Sequence, residues 1–173
     1  DGFSGDGNAI LKYPDDIALE DLHNWIHENL SKVLVPVANN IHFESYIEKF
    51  KQMEGIVEAF IEGEIKTSPS VQCRINPLGE VDIISTHDQV LNGQIFVGAY
   101  FPADKSYSAA IAATAKNIAY VLKEQGVLGR FSIDFISVKE NDQWIHYAIE
   151  INLRKGGTTH PFLMLQFLTD GVY

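Results

Sequence analysis

The patterning of this chain predicts an α+β fold in which strands and helices are grouped rather than alternating as βαβ units, and three observations carry that prediction. Three strand-like segments, Ile56 to Ile61, Ile65 to Ile75 and Val81 to Thr86, follow one another with no helical stretch between them. A long helix from about Ser106 to Gln125 comes next, with Ile111, Ala115, Ile118 and Leu122 on one face and Gly126 as its stop. Two further strand-like runs, Phe131 to Val138 and Trp144 to Asn152, are joined by polar Lys139 to Gln143 as a hairpin, and a last helix follows Pro161.

The elements before them are helical. Asp15 to Val33 carries Leu22, Trp25, Ile26, Leu30 and Val33 as one apolar stripe, with Asp15 or Asp16 as its cap. His23 and His27 have the spacing of paired zinc ligands, but Asn24 stands where a zinc-protease helix has glutamate and no third ligand is nearby. They read as solvated helix-face histidines. His42 to Gln52 is a shorter helix through Phe43, Tyr46, Ile47 and Phe50.

Within the strand region, Asn76-Pro77-Leu78-Gly79 is a turn. Gln72 and Arg74 alternate with apolar neighbours and share a face, which is either solvated or turned to a ligand. Ser85 to Gln89 reads as a loop at a strand end; His87 and Asp88 lack a nucleophile motif and fit capping or loop hydrogen bonds. Cys73, the single cysteine, reads as a small packing residue.

Composition bounds the function. The 173 residues are 46% hydrophobic, enough for a core and about one domain. No apolar run approaches the ~20 residues that cross a bilayer, so no membrane partner is expected. A formal charge of −10 with thirteen basic residues scattered along the chain argues against a nucleic-acid surface. One cysteine suits a reducing compartment, and a cytoplasmic protein is expected.

The chemistry concentrates between Gly129 and Pro161. Asp134 lies inside an apolar strand, while Glu150 and Asn152 are two apart on the next and share a face. Mg²⁺ takes hard oxygen ligands, usually one or two protein carboxylates with waters and phosphates completing the shell, and this set suits it. Arg154 is spaced to hold a phosphate or carboxylate oxygen. The following Lys155-Gly156-Gly157-Thr158-Thr159-His160-Pro161 places two glycines before a helix start, where free amides converge on an anion.

These motifs resemble those of the ATP-grasp superfamily. Gly129-Arg-x-x-x-Asp134 and Glu150-x-Asn152-x-Arg154 look like its magnesium and phosphate motifs, and Val57-Glu58-Ala59-Phe60-Ile61-Glu62-Gly63-Glu64 is similar to its adenine hinge. The opening Asp1-Gly2-Phe3-Ser4-Gly5-Asp6-Gly7-Asn8 looks like its glycine-rich triphosphate loop. Within the superfamily, the run from Glu150 to Pro161 most resembles a branch that includes peptide ligases of pheganomycin type.

The resemblance implies an ATP-grasp-like α+β fold, part of the lid subdomain plus the C-terminal antiparallel-sheet subdomain. It implies an ATP- and Mg²⁺-dependent carboxylate–amine ligase that forms ADP through an acyl-phosphate, acting on small-molecule or peptide carboxylates and amines. Asp134, Glu150 and Asn152 would hold one or two metal ions, and Arg154 would serve the transferring phosphoryl group. Nucleotide contacts would come from Ser4, Gly5, Gly7, Asn8, Glu58, Ala59, Phe60, Ile61, Arg74, Gly156, Gly157 and Thr158, with Glu62 or Glu64 at the ribose. In this family a lysine-bearing strand and a further domain precede the glycine-rich loop. Neither precedes Asp1, so the expectation is a partial domain: loop and lid remainder over 1–55, hinge and metal subdomain over 56–173, and the missing N-terminal region as partner. Lys12 lies after the loop and reads as a surface residue. The rival expectation is a non-catalytic ATP-binding or regulatory module that retains the nucleotide site.

Overall fold

The structure, a computed structural model, describes residues 7–38, 40–93 and 95–172. Ser4 and Gly5 of the glycine-rich run lie outside them. The chain divides into two compact units, residues 1–59 with 93–95, and residues 60–92 with 96–173.

In the first unit, α1 (Leu19–Val33) and α2 (Phe43–Met53) accompany a small ladder in which β1 (Ala9–Leu11) pairs antiparallel with β2 (Leu34–Pro36). The predicted stripe of α1 is its half-buried side, and His23 and His27 are exposed. The helix begins later than expected. Asp15 and Asp16 sit in a turn closed by Ile17 N–H donating to Pro14 O, and Ala18 occupies the N-cap without a side-chain bond. On α2, Tyr46 and Phe50 stack with centroids 6.2 Å apart. β1 and β2 are too short for alternation to announce them.

The second unit is a six-stranded sheet with helices. Its strands are β3 (Ile65–Thr67), β4 (Pro69–Ile75), β5 (Val81–Asn92), β6 (Ile95–Tyr100), β7 (Gly129–Glu140) and β8 (Gln143–Asn152), ordered β3-β7-β4-β5-β6, with β8 also paired to β7. The predicted hairpin is present. Its turn residues Asn141 and Asp142 both have positive φ, 48° and 62°, the geometry of a two-residue turn that follows strand twist.

Four further expectations need correction. Ile56 to Ile61 is not a strand: residues 54–63 have no regular structure, and Ile56 and Val57 are 77% and 88% exposed. Their β-branched character has no ladder partner to use. The Ile65 to Ile75 segment splits at Ser68 into two strands that meet β7 at separate stretches, through Thr67↔Ser137 and Ser70↔Asp134. Ser85 to Gln89 is not a loop but the middle of β5, and β6 was not foreseen. The last helix, α4 (Thr159–Thr169), starts two residues before Pro161.

The sheet is two-faced. Val71, Cys73, Ile75, Phe131, Ile133 and Phe135 form a core with Ile111, Ala115, Ala119 and Leu122 of α3 (Ser108–Glu124). Each fully buried Val, Ile, Leu or Phe side chain there contributes roughly 1.5–3 kcal/mol. Burial pushes the Cys73 thiol up to about 12, as its packing role requires. Alternation places Ser70, Gln72 and Arg74 on the opposite, polar face.

Candidate functional site

The strand register assembles that polar face. Residues directly opposite one another on neighbouring strands point to the same side. Glu150 faces Asp134, Asp134 faces Ser70, and Ser70 faces His87, making one row across four strands. The adjacent row is Asn152, Ser132, Gln72 and Ser85. A register shift on β8 just beyond the Asp134↔Glu150 pair, to Phe135↔Ala148, lets both acids share the polar face while Phe135 turns into the core.

Asp134 is the centre of this arrangement. Ser70 Oγ donates to its Oδ1 at 2.6 Å and Asn152 Nδ2 donates to its Oδ2 at 3.2 Å. Burial raises the pKa of its carboxyl above the ordinary range; the Ser70 hydrogen bond opposes this, the nearby charge of Glu150 adds to it, and Gln89 and Arg154 oppose it. A negative charge is thus held where protein alone does not fully compensate it. Two carboxylates and a carboxamide oxygen on one face fit a hard divalent cation, which needs no more protein donors than this when phosphates and waters complete its shell. Among the described residues no group of three or more His, Cys, Asp and Glu side chains is arranged to hold a metal, so His23 and His27 form no such centre.

The residues expected on the phosphate side are brought to that centre only in part. Arg154 is exposed, with Nη1 3.4 Å from the Lys155 carbonyl oxygen, and its charge reaches Asp134. Gly156 N–H donates to Thr159 Oγ1 at 3.2 Å, so an incoming anion must take that amide from the hydroxyl. A Cβ on Gly156 would stand 3.7 Å from Ser132 Oγ, placing the loop against the second polar row. Gln72 is buried and donates through Nε2 to the carbonyl oxygen of Thr158, the α4 N-cap, at 3.3 Å. It is therefore neither solvated nor a free ligand contact. Arg74 is exposed, and its guanidinium pairs with the Asp82 carboxylate at 2.7 Å.

The hinge-like run crosses the boundary between units after Ala59. Gly7, Asn8, Glu58 and Ala59 belong to the first unit; Phe60, Ile61, Glu62 and Glu64 belong to the second. Lys66 Nζ donates to Ile61 O at 2.9 Å and lies 4.4 Å from the Phe60 ring centroid. Gly63 presses on β7 so closely that a Cβ there would come 2.7 Å from Val138 Cβ.

Sequence reasoning missed Ser70 and Lys66, and it read His87, which is buried within β5, as a loop residue. The ring of His87 lies 5.0 Å from that of Phe101, which is 5.4 Å from Phe162 of α4. Both His87 ring nitrogens and Ser85 Oγ are buried without a hydrogen-bond partner. Asp88 points to the other face, accepting from Tyr107 OH at 2.6 Å and Asp104 N–H at 2.9 Å, so no His87–Asp88 dyad exists. The alternation of a long strand separates them.

The fold is similar to biotin carboxylase from Campylobacter jejuni, solved as a β,γ-ATP complex, with TM-score 0.55 and 18% identity over 76% of this chain and 30% of that one. It is also similar to N5-carboxyaminoimidazole synthetase from Staphylococcus aureus, solved with ADP, with TM-score 0.51 and 18% identity over 78% of this chain and 34% of that one. The chain belongs to the IQCH-like ATP-grasp family, whose sequence profile matches residues 11–173. A curated relative, L-propargylglycine–L-glutamate ligase of Streptantibioticus cattleyicolor, is 37% identical over 117 residues, covering 68% of this chain. The chain spans 23% of that relative's length.

Proposed function

We propose that this chain supplies the Mg²⁺-binding and phosphate-binding part of an ATP-dependent, ADP-forming carboxylate–amine ligase. The observation that carries the reading is the Glu150–Asp134 pair on one sheet face, with Asn152 bonded to Asp134 beside it. The relationship to an amino-acid ligase supports the reaction class.

Glu150, Asp134 and the Asn152 side-chain oxygen would hold Mg²⁺, which when bound neutralises charge on the β- and γ-phosphates. Arg154 contributes a fixed cation to the transferring phosphoryl oxygens. The substrate carboxylate oxygen attacks the γ-phosphorus and the bond to the bridging oxygen breaks, releasing ADP. An amine then adds to the acyl-phosphate carbonyl, inorganic phosphate leaves, and the amine nitrogen gives up a proton. Gly156, Gly157 and Thr158 line the loop for those oxygens. Phe60, Ile61, Glu62 and Glu64 are the proposed adenine and ribose contacts within the second unit; binding adenine at the Ile61 carbonyl requires displacement of Lys66. Gly7, Asn8, Glu58 and Ala59 are assigned to the nucleotide by resemblance alone. The substrates are small-molecule or peptide acids and amines, in a cytoplasmic setting.

Glu150→Gln in the intact protein tests this. It keeps size and one carbonyl oxygen but removes a cation-balancing charge, and Mg²⁺-dependent ADP formation should fall on the order of 10²-fold or more. The metal-free melting temperature should hold or rise, since repulsion of Asp134 is relieved. Near-normal turnover at ordinary Mg²⁺ would remove Glu150 from the site. If turnover is absent from wild-type protein while ATP binds, the non-catalytic module is the better reading.

A further inference from the structure

We propose that Ser70 is a positioning residue for the divalent-cation site, fixing the Asp134 carboxylate through its hydroxyl; this rests on the cation site proposed above. Ser70 is 1% exposed and thus touches neither solvent nor substrate. Its hydroxyl carries one proton and faces two acceptors, Asp134 Oδ1 at 2.6 Å and Ile133 O at 3.3 Å. The shorter, charge-assisted bond takes the proton. Asn152 Nδ2 holds the other carboxylate oxygen at 3.2 Å, so the carboxylate plane is set from both ends.

That arrangement has a second effect. The Asn152 amide nitrogen is committed to Asp134, which leaves its carbonyl oxygen as the atom offered to a cation. An ionised carboxylate has about four lone-pair sites, so the Ser70 and Asn152 donors, with the Gln89 side chain as a further hydrogen-bonding neighbour, still leave a site for a metal. Without Ser70, Asp134 can rotate toward Asn152 and spoil both ligands together. The register gives Ser70 this role: it stands opposite Asp134 on β4, as Glu150 does on β8. Groups of this kind, holding a metal ligand from behind, typically alter metal affinity or activity by 10–100-fold when removed.

The experiment measures Mn²⁺ binding by electron paramagnetic resonance, with ATP present, in the intact protein and in Ser70→Ala, Ser70→Thr and Glu150→Gln variants. The expected result is Mn²⁺ affinity weakened about 10-fold or more in Ser70→Ala and largely restored in Ser70→Thr, which returns the hydroxyl. The Mg²⁺ concentration for half-maximal ADP formation should shift in parallel. Unchanged Mn²⁺ affinity in Ser70→Ala, with Glu150→Gln weakened, overturns the positioning role and leaves the cation site standing. Unchanged affinity in both overturns the site itself. Should Ser70→Ala fail to fold, Ser70→Cys keeps the volume with a weaker donor, and wild-type affinity there overturns the proposal equally.

Discussion

His87 has no hydrogen-bond partner for either ring nitrogen, and burial holds its pKa down to about 4 against an ordinary 6.5. The unfolded chain therefore takes up a proton near pH 6.5 that the folded chain refuses until about pH 4. Stability falls as pH drops through that window and is fully present above it; between pH 7 and 5 the loss from this residue is about 2 kcal/mol. His87→Leu should remove that part of the slope. Urea unfolding of both proteins at pH 7 and 5 checks it, and parallel slopes would sink the assignment. His87 also shows what a sequence withholds at this scale. Asp134, Glu150 and Asn152 were legible because acids amid β-branched residues stand out and i, i+2 spacing fixes a common face. Ser70 was not, and Gln72 was legible only as sharing a face with Arg74; register places the one opposite Asp134, and the fold brings the other to the Thr158 carbonyl.

At the scale of elements, the segment after Ala59 depends on a close approach. Gly63 lies where a Cβ would come 2.7 Å from Val138 Cβ and 3.1 Å from its Cγ1. Val138 is 1% exposed and held within a strand, so the Gly63 segment must give way rather than the sheet. Gly63→Ala should lift that segment and weaken ATP binding several-fold, with overpacking costing about 1–3 kcal/mol at most. Calorimetric ATP titration beside a thermal melt tests it; wild-type affinity with wild-type melting would show that this packing does not matter. If the backbone here reads adenine, GTP should bind clearly more weakly than ATP, and equal affinities would refute the hinge role. The same segment shows why element prediction failed in places. Residues 56–61 have strand-like side chains but no neighbouring backbone to pair with, and pairing is a property of the sheet. The hairpin succeeded because its turn and both strands are contiguous, so local chemistry sufficed.

On the scale of the whole molecule, two features bear on nucleotide binding: the formal charge of −10, and a chain that passes between compact units in an exposed irregular stretch. The acidic balance opposes free ATP, so binding should depend on Mg²⁺ to offset phosphate charge locally. The exposed stretch offers a readout. Backbone without ladder or helix bonds opens readily to proteases, and Glu54, Glu58, Glu62 and Glu64 all lie there, exposed. A glutamate-specific protease should therefore cut first between residues 54 and 64. Adenine bound along Phe60 to Glu64 would order that backbone, and Mg²⁺ with ATP together should slow cleavage several-fold more than either alone, because the cation supplies the charge the protein lacks. Glu150→Gln, which leaves every glutamate between residues 54 and 64 intact, should lose the protection while still being cut first in that stretch. Mapping the first fragments by mass spectrometry under four conditions, with neither addition, either one, or both, decides the matter. Cleavage that ignores Mg²⁺ and ATP in the wild-type protein, or protection that survives in Glu150→Gln, would separate the exposed segment from the acids and leave the hinge without a nucleotide to hold.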